Sequence, residues 1–387
     1  MSIEESFGQR RPYQICTKTI MDTSDTEITF DKDGVCNHVH LYEEAVKYLL
    51  VQPSERTQKL DELVSEIKSR GAAGEYDCII GLSGGIDSSY VAYLVKNLGL
   101  RPLAVHLDNG WNSELAVKNI EQIVKKLDID LYTYVINWQE FKELQLAFLK
   151  ASVVDIEMLT DNAIAVIINK LAKRFKIKYY LVGTNITSEG IMPRTWLYNI
   201  KYDTLNIKAI YKRFGRGKKI SSFPMFKFLP YLIYRYVSGS RRFSRLDFLA
   251  RVKSVSLLNY FDYDKDVAAD FLIKEIGYTK YVGKHYESNF TKFYQAYILP
   301  RKFNIDKRRA FYSCLILSGQ MTREDALEKI KLPLYDEREL EEDIEYVCKK
   351  FEINRREFEA IMNSEPKSHY DYLSLDGIHH KVMSFFK

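Results

Sequence analysis

The chain has 387 residues, too many for one small hydrophobic core, so two or three packed units are expected. Its 46% hydrophobic content is ample for a core, and a net charge of only +5 says little about partners as an average. Five scattered cysteines (Cys16, Cys36, Cys78, Cys314, Cys348) exclude a disulfide framework and fit a reducing cytoplasm. The start, MSIEESFGQRR, has no apolar signal core, and no apolar run reaches the roughly 18 residues of a spanning helix.

Residues 1–40 read as irregular. Ile15–Val39 holds Cys16 and Cys36, with Glu27–Phe30 as a small strand and Asp31–Gly34 as a turn. The segment is similar to a two-knuckle zinc ribbon, but Thr19 and Val39 stand where second cysteines belong. A closed structural zinc site needs four donors. Cys16, Cys36, His38 and His40 are the available set, and a metal-free relic of the ribbon is expected, with Zn²⁺ unlikely. Helices follow at Leu41–Leu50 and Ser54–Arg70, the second with Pro53 and Ser54 at its start and Gly71 after its end.

The stretch Asp77–Tyr90, DCIIGLSGGIDSSY, organises the rest. Cys78–Ile80 reads as a short buried strand, Gly81–Asp87 as a tight loop, and Ser88–Leu98 as a helix with apolar residues at helical spacing. Strand, glycine-rich loop and helix N-terminus make an anion site, because Gly84 and Gly85 let backbone N–H groups approach phosphate oxygens. Ser83, Ser88 and Ser89 add hydroxyl donors. Asp87 would repel a polyphosphate unless a cation lay between them, which implies Mg²⁺ held at Asp87. The kinase-type G-x-x-x-x-G-K-[ST] pattern is absent.

Strands are expected at Leu103–Leu107, Leu131–Ile136 and Tyr179–Val182, alternating with helices at Ser113–Leu127, Phe141–Lys150 and Ile156–Phe175. That alternation predicts an α/β, doubly wound parallel sheet. Ligands in such sheets sit beyond the carboxyl ends of strands. Those ends are the Ser83 loop, the segment His106–Asp108–Asn109 and the segment Gly183–Thr184–Asn185, so one nucleotide site lined by all three is expected.

From Ile186 the alternation is read as stopping. Ala209–Ser254 is crowded with Lys and Arg, with Asp247 its only acid, and Phe223–Val237 inside it is apolar and aromatic. Three readings stand side by side: a helical insert with a cationic exterior, a face on an anionic membrane, and a nucleic-acid surface. The first is the most economical, since no base-reading motif is present. A second dense block, Gly283–Leu299, packs Lys284, His285, Glu287, Ser288, Thr291 and Gln295 into little more than two helical turns. Asp306–Arg309 then sets Lys307, Arg308 and Arg309 side by side. Residues 331–387 read as a mostly helical tail, with helices at Arg338–Phe351 and Arg355–Asn363. The division expected is a ribbon-like segment 1–40, a nucleotide domain 41–205, a substrate or partner domain 206–330, and the tail.

The loop SGGIDS resembles that of the PP-loop ATP pyrophosphatases, which cut ATP between its α- and β-phosphates and leave AMP on a substrate oxygen. The whole chain is similar to the N-acetyl sugar amidotransferases of that superfamily, found in bacterial surface-polysaccharide (LPS, O-antigen) assembly. The matching stretches are MDTSDTEITFDKDGVCNH, GLSGGIDSSY, HLDNGWNSELAVKN, MPRTW, LLNYFDYD, KHYESNFTKFYQAYILPRKFNIDKRR and SGQMTREDA. The resemblance implies conversion of an acetamido group on a nucleotide sugar into an acetamidino group, in the cytoplasm, with ATP and Mg²⁺. Ammonia would come from a separate glutaminase, because Ser2 follows Met1 where an N-terminal glutaminase needs a cysteine.

Carried onto this chain, Ser83, Gly84, Gly85, Ser88 and Ser89 would hold pyrophosphate, and Asp87 the metal. His106, Asp108, Asn109, Gly183, Thr184 and Asn185 would hold adenosine. Lys284 and His285 would act at the α-phosphate or the activated oxygen, and Glu287, Arg308 and Arg309 would meet the substrate. Phe311 and Tyr312 stand where the family tends to carry a histidine, so no proton-transfer role is carried over there. The alternative within the superfamily is a tRNA-modifying enzyme.

Overall fold

The computed structural model describes residues 12–198, 200–226, 252–281, 286–375 and 377. Five parallel strands form one sheet: β1 (Cys78–Gly81), β2 (Pro102–Asp108), β3 (Asp130–Val135), β4 (Tyr179–Val182) and β5 (Lys253–Ser256), in the order β3-β2-β1-β4-β5. The chain winds one way from β1 to β3 and then crosses back to β4, so the order reverses between β1 and β4. A crevice opens at such a reversal, beyond the carboxyl ends of the two strands.

The alternation of side chains along a strand explains both faces. Ile80 packs with Cys78, Leu82 and helices α2 (Arg56–Gly71), α3 (Ile86–Asn97) and α4 (Glu114–Leu127). Ile79 points the other way, onto Ile167, Ile168 and Leu171. Both isoleucines are fully buried, each contributing about 1.5–3 kcal/mol of transfer free energy.

A third core joins the N-terminal segment to helices α5 (Trp138–Ala151), α8 (Thr204–Phe214) and the C-terminal helices, through Cys16, Met21, Phe141, Phe148, Phe293 and Phe351. Between α5 and α8 in the chain lie α6 (Met158–Phe175) and the one-turn α7 (Ile186–Glu189). No helix among the described residues is long and apolar enough to cross a membrane.

The elements depart from the sequence reading in five places. Helix α3 begins at Ile86, not Ser88, so Asp87 lies in its first turn. The first helix, α1 (Asn37–Leu49), starts four residues before Leu41. The alternation does not end at Ile186: β5 follows and pairs with β4 from Tyr179↔Lys253 to Val182↔Ser256. A four-residue strand beside a run of cations gave too little periodicity to read. Glu27–Phe30 is no strand; the segment is tied by isolated bridges at Ile15–Asp22 and Phe30–Cys36. Lastly, Ser288 caps a helix opening at Asn289, so residues 286–288 precede the helix rather than sharing its face.

Of the basic segment, Phe223 is buried and stacks on Phe141, while the backbone N–H groups of Ser221, Ser222 and Phe223 donate to Glu140. Residues 227–251, with most of Phe223–Val237, lie outside the described residues.

Candidate functional site

The loop between β1 and α3 is shaped by its own polar groups. Gly84 sits at φ +84, where an added Cβ would meet the Ala116 carbonyl at 2.8 Å, so only glycine fits. Gly85 is the N-cap of α3 and supplies no side-chain cap, which leaves the first-turn N–H groups for an anion. Ser83 and Ser88 hydroxyls lie 3.1 Å apart, and the Ser83 N–H donates to Ser88 Oγ. Ser89 is fully buried and donates to the Gly85 carbonyl at 2.7 Å. It therefore shapes the loop and does not face a ligand, which corrects its assignment as a donor. From outside the loop, the Tyr278 hydroxyl donates to the Gly84 carbonyl at 3.1 Å.

Two cavities of about 470 and 500 Å³ meet at this loop and share Ser83, Ser88, Gly183, Thr184 and Glu287. The smaller has apolar walls from β2 and α6, including Val105, Leu107, Ile164 and Ile168, and fits a base. His106 and Asn109 line it. His106 donates from Nδ1 to the Leu82 carbonyl at 2.9 Å and faces the Asn112 amide with Nε2 at 2.9 Å. Burial outweighs the Leu82 carbonyl and Asp108 and pulls its pKa below the ordinary value, which favours the neutral ring. Asp108 and Asn185 do not line the cavities: Asp108 accepts from the Gly110 N–H, and buried Asn185 caps α7 through the Ser188 N–H. In this structure both act on the backbone of the loops that line the cavities. Gly183 lies so close to α3 that a Cβ would come 2.9 Å from the Asp87 carbonyl carbon.

The larger cavity contains Asp87. The Tyr263 hydroxyl donates to one carboxylate oxygen of Asp87, and Lys265 Nζ lies 3.4 Å from the other. Lys280 and Lys329 line the same space. No group of three or more metal-ligating side chains occurs among the described residues. A single carboxylate beside a phosphate loop nonetheless suits Mg²⁺, which binds through one or two carboxylates and the substrate's own phosphates.

Residues after 285 close the smaller cavity. The Glu287 carbonyl accepts from the Ser113 N–H at 2.9 Å, and the Asn289 N–H donates to the Trp111 carbonyl at 2.8 Å. The tail helix Glu337–Phe351 adds Lys350, whose ammonium lies 4.3 Å from the Trp138 ring and 5.1 Å from the Trp111 ring and donates to the Gly110 carbonyl at 2.6 Å. Lys284 and His285 lie outside the described residues.

Arg308 and Arg309 are engaged elsewhere, against expectation. Arg308 binds Asp306 and the carbonyls of Leu332 and Ile330. Arg309 binds buried Asp22 at 2.9 Å and the Ile20 carbonyl. Neither lines either of the two cavities, and both guanidiniums are bonded within the protein. Their neighbour Lys307 does line one, with Glu157, Asp161 and Lys201, which sequence reasoning missed together with Tyr263 and Lys265. Lys265 follows directly on the stretch LLNYFDYD, and that was its only signal.

The ribbon-like segment does not assemble zinc ligands. Cys16 accepts from the Cys36 N–H at 3.3 Å, and Thr19 contacts the Cys36 sulfur. His38 turns to Asp25 at 2.6 Å and His40 to Asp31 at 3.1 Å. Each ring is engaged by an aspartate that accepts its N–H, and the four side chains Cys16, Cys36, His38 and His40 do not converge.

Residues 56–219 match the NAD synthase family, and residues 287–384 match the family described as "LPS biosynthesis protein WbpG-like, C-terminal domain". A tRNA(Ile)-lysidine synthase of Chlamydia pneumoniae is 34% identical over 64 residues, which are 16% of this chain and 20% of that protein. The match thus spans about a fifth of that curated relative. Among solved structures, NMN synthetase of Francisella tularensis is 16% identical, covering 74% of this chain and 99% of its own, with a TM-score of 0.31. The U34-tRNA thiolase NcsA of Methanococcus maripaludis is 15% identical, covering 70% and 81%, with a TM-score of 0.32. With its parallel sheet and phosphate loop, the region 56–219 is a nucleotide domain of the PP-loop ATP pyrophosphatase superfamily, and the region 287–384 is similar to the C-terminal domain of WbpG-like LPS-biosynthesis proteins.

Proposed function

We propose that the chain is an ATP-dependent amidotransferase that turns the N-acetyl group of a nucleotide sugar into an acetamidino group for LPS or O-antigen assembly. The observation that supports this most is the meeting of two cavities at one phosphate loop, both of them lined in part by the WbpG-like domain. The departing pyrophosphate can then lie in the larger cavity, and the AMP half with its acceptor amide in the smaller.

An amide carbonyl is a poor electrophile. In the first step its oxygen attacks the α-phosphorus of ATP, the bond to the β-phosphate breaks, and pyrophosphate leaves with the electron pair. The first-turn N–H groups of α3 and the Ser83 and Ser88 hydroxyls receive the developing charge. Lys265, Lys280 and Lys329 face the same space and attract the departing anion. Mg²⁺, held by Asp87 and the phosphates, would offset the charge of the polyphosphate. In the second step ammonia adds to the imidate carbon, AMP leaves with the former amide oxygen, and the nitrogen gives up a proton. No glutaminase site is recognised in this chain, so a partner glutaminase would deliver the ammonia, in the cytoplasm.

The test is direct. Purified chain with Mg-ATP, ammonium chloride and a set of UDP-linked N-acetylated hexosamines should form AMP, pyrophosphate and an amidine. ATP cleavage that needs no sugar, or none at all, overturns the reading. The lysidine synthase match supports a tRNA-modifying alternative, and steeply salt-dependent tRNA binding with tRNA-stimulated AMP formation would favour it.

A further inference from the structure

The smaller cavity has two chemically different ends, and α6 runs along both. Ile164, Ile167 and Ile168 form the apolar end. About one to three turns earlier stand Glu157, Thr160 and Asp161, roughly 4–17 Å away along the helix axis at 1.5 Å per residue. Around them gather Lys201, Lys307 and Gln295, from three other segments. Lys201 Nζ lies 2.5 Å from Asp161, and Lys307 Nζ lies 3.3 Å from Glu157. The Gln295 amide donates to Glu157 at 3.2 Å. Gln295 sits in a π-helical turn, Tyr294–Ile298, a distortion that re-aims side chains and is frequent at functional sites. All four charged groups remain partly open to the cavity, from 24% to 37% exposed. A structural ion pair would not need such access.

We propose that this polar end is the subsite for the sugar ring of the acetamido substrate, bound through its hydroxyl and amide groups; this rests on the amidotransferase reading. The charges come as two carboxylates and two ammonium groups, interleaved. A phosphate placed there would meet Glu157 and Asp161, and a cation would meet Lys201 and Lys307. A hydroxyl or an amide both donates and accepts, so it matches a wall that alternates acceptors with donors. Burial lowers the proton affinity of Lys201, but Asp161 and Asp155 outweigh it and hold the ammonium charged, so this donor persists at any physiological pH. The ring's diphosphate is then left to face the loop side of the cavity.

The experiment measures binding of the same UDP-linked N-acetylated hexosamines and their uronic acid forms, and separately of α,β-methylene ATP, by calorimetry. The proteins are wild type, Lys201→Met, Glu157→Gln and Thr160→Val, each checked by near-UV circular dichroism. Removing one charged partner should weaken sugar-nucleotide binding by about tenfold to a hundredfold. Thr160→Val deletes one hydroxyl without touching an ion pair, and should weaken it by about threefold to tenfold. In each case the ATP analogue should bind as before. Unchanged sugar binding in all three variants overturns the subsite and leaves the amidotransferase reading standing. Weakened binding of the ATP analogue instead assigns this end to the ribose of ATP and also overturns it. A wild type that binds the analogue but no acetamido sugar removes both.

Discussion

Ser83–Ser89 and Asp306–Arg309 are both short polar runs at the start of a helix, and in the sequence both look like places where an anion binds. In the fold their polar groups go to different partners. Ser83 and Ser88 bond to each other and to their own loop, leave the first-turn N–H groups uncapped, and line cavities on both sides. Arg308 and Arg309 are consumed: one holds Asp306 and two carbonyls, the other ties the N-terminal segment down through Asp22 and Ile20. The difference lies in what the backbone offers. A glycine N-cap has no side chain to satisfy its helix, so the site stays available to a ligand. A guanidinium within reach of a buried aspartate is satisfied by the protein itself.

The strongest way to break this comparison is at Asp87. Asp87→Asn removes the only described carboxylate in the first turn of α3 while keeping its shape. AMP formation should fall by about a thousandfold or more, with the fold intact by circular dichroism. Turnover within tenfold of wild type would show that the loop does not work through this group.

Arg309→Met should do the reverse. It leaves Asp22, only 2% exposed on its side chain, without its cation, and should cost about 2–4 kcal/mol of stability. The catalytic efficiency of the protein that remains folded should change by less than about threefold. A drop in efficiency without a drop in melting temperature would return Arg309 to the substrate.

How much of this was legible follows the same division. The phosphate loop could be read because its chemistry is local: glycines, serines and one aspartate within a few residues, between a strand and a helix. The parallel sheet could be read because β1 to β4 alternate with helices of clear period. What could not be read is side-chain destination over long separations. Nothing near Arg309 shows that Asp22 will meet it, and nothing near Asp87 shows that Tyr263 and Lys265 will. Glu157, Asp161, Lys201 and Lys307 are four unremarkable charges until α6 and the π-helical turn bring them to one cavity. β5 was hidden for another reason: β1 and β4 are as short but apolar, whereas Lys253–Ser256 has valine as its one apolar residue.

Lys350 sharpens the comparison, because it is a tail residue acting on the nucleotide side. Its ammonium is held between Trp111 and Trp138 and bonds Gly110, which fixes the turn after β2. Lys350→Met should lose about 1–2 kcal/mol at that turn, seen as a several-fold rise in KM for ATP with kcat little changed. Lys350→Arg should restore part of it, and the fluorescence of Trp111 and Trp138 should report the loosened turn. Equal KM values for all three proteins would make the contact purely structural.

The smallest effect is a titration. Burial lowers the pKa of folded His106, against the pull of the Leu82 carbonyl and Asp108, so the unfolded chain takes up this proton first as pH falls. The stability that comes from the neutral ring is therefore fully present above about pH 6.5, the unfolded value, and is lost progressively as pH drops toward the folded one. The loss from this single group is at most about 1.4 kcal/mol per pH unit. The proton would go to Nε2, which faces the Asn112 amide at 2.9 Å and would then oppose one donor with another. Affinity for the ATP analogue should fall over the same range, because Asn112 and His106 both line its cavity. In His106→Gln an amide can still accept from Asn112 but does not titrate, so this part of the slope should vanish at a roughly constant cost. An identical pH profile in the variant would assign the titration to another group and leave His106 a wall of the cavity only.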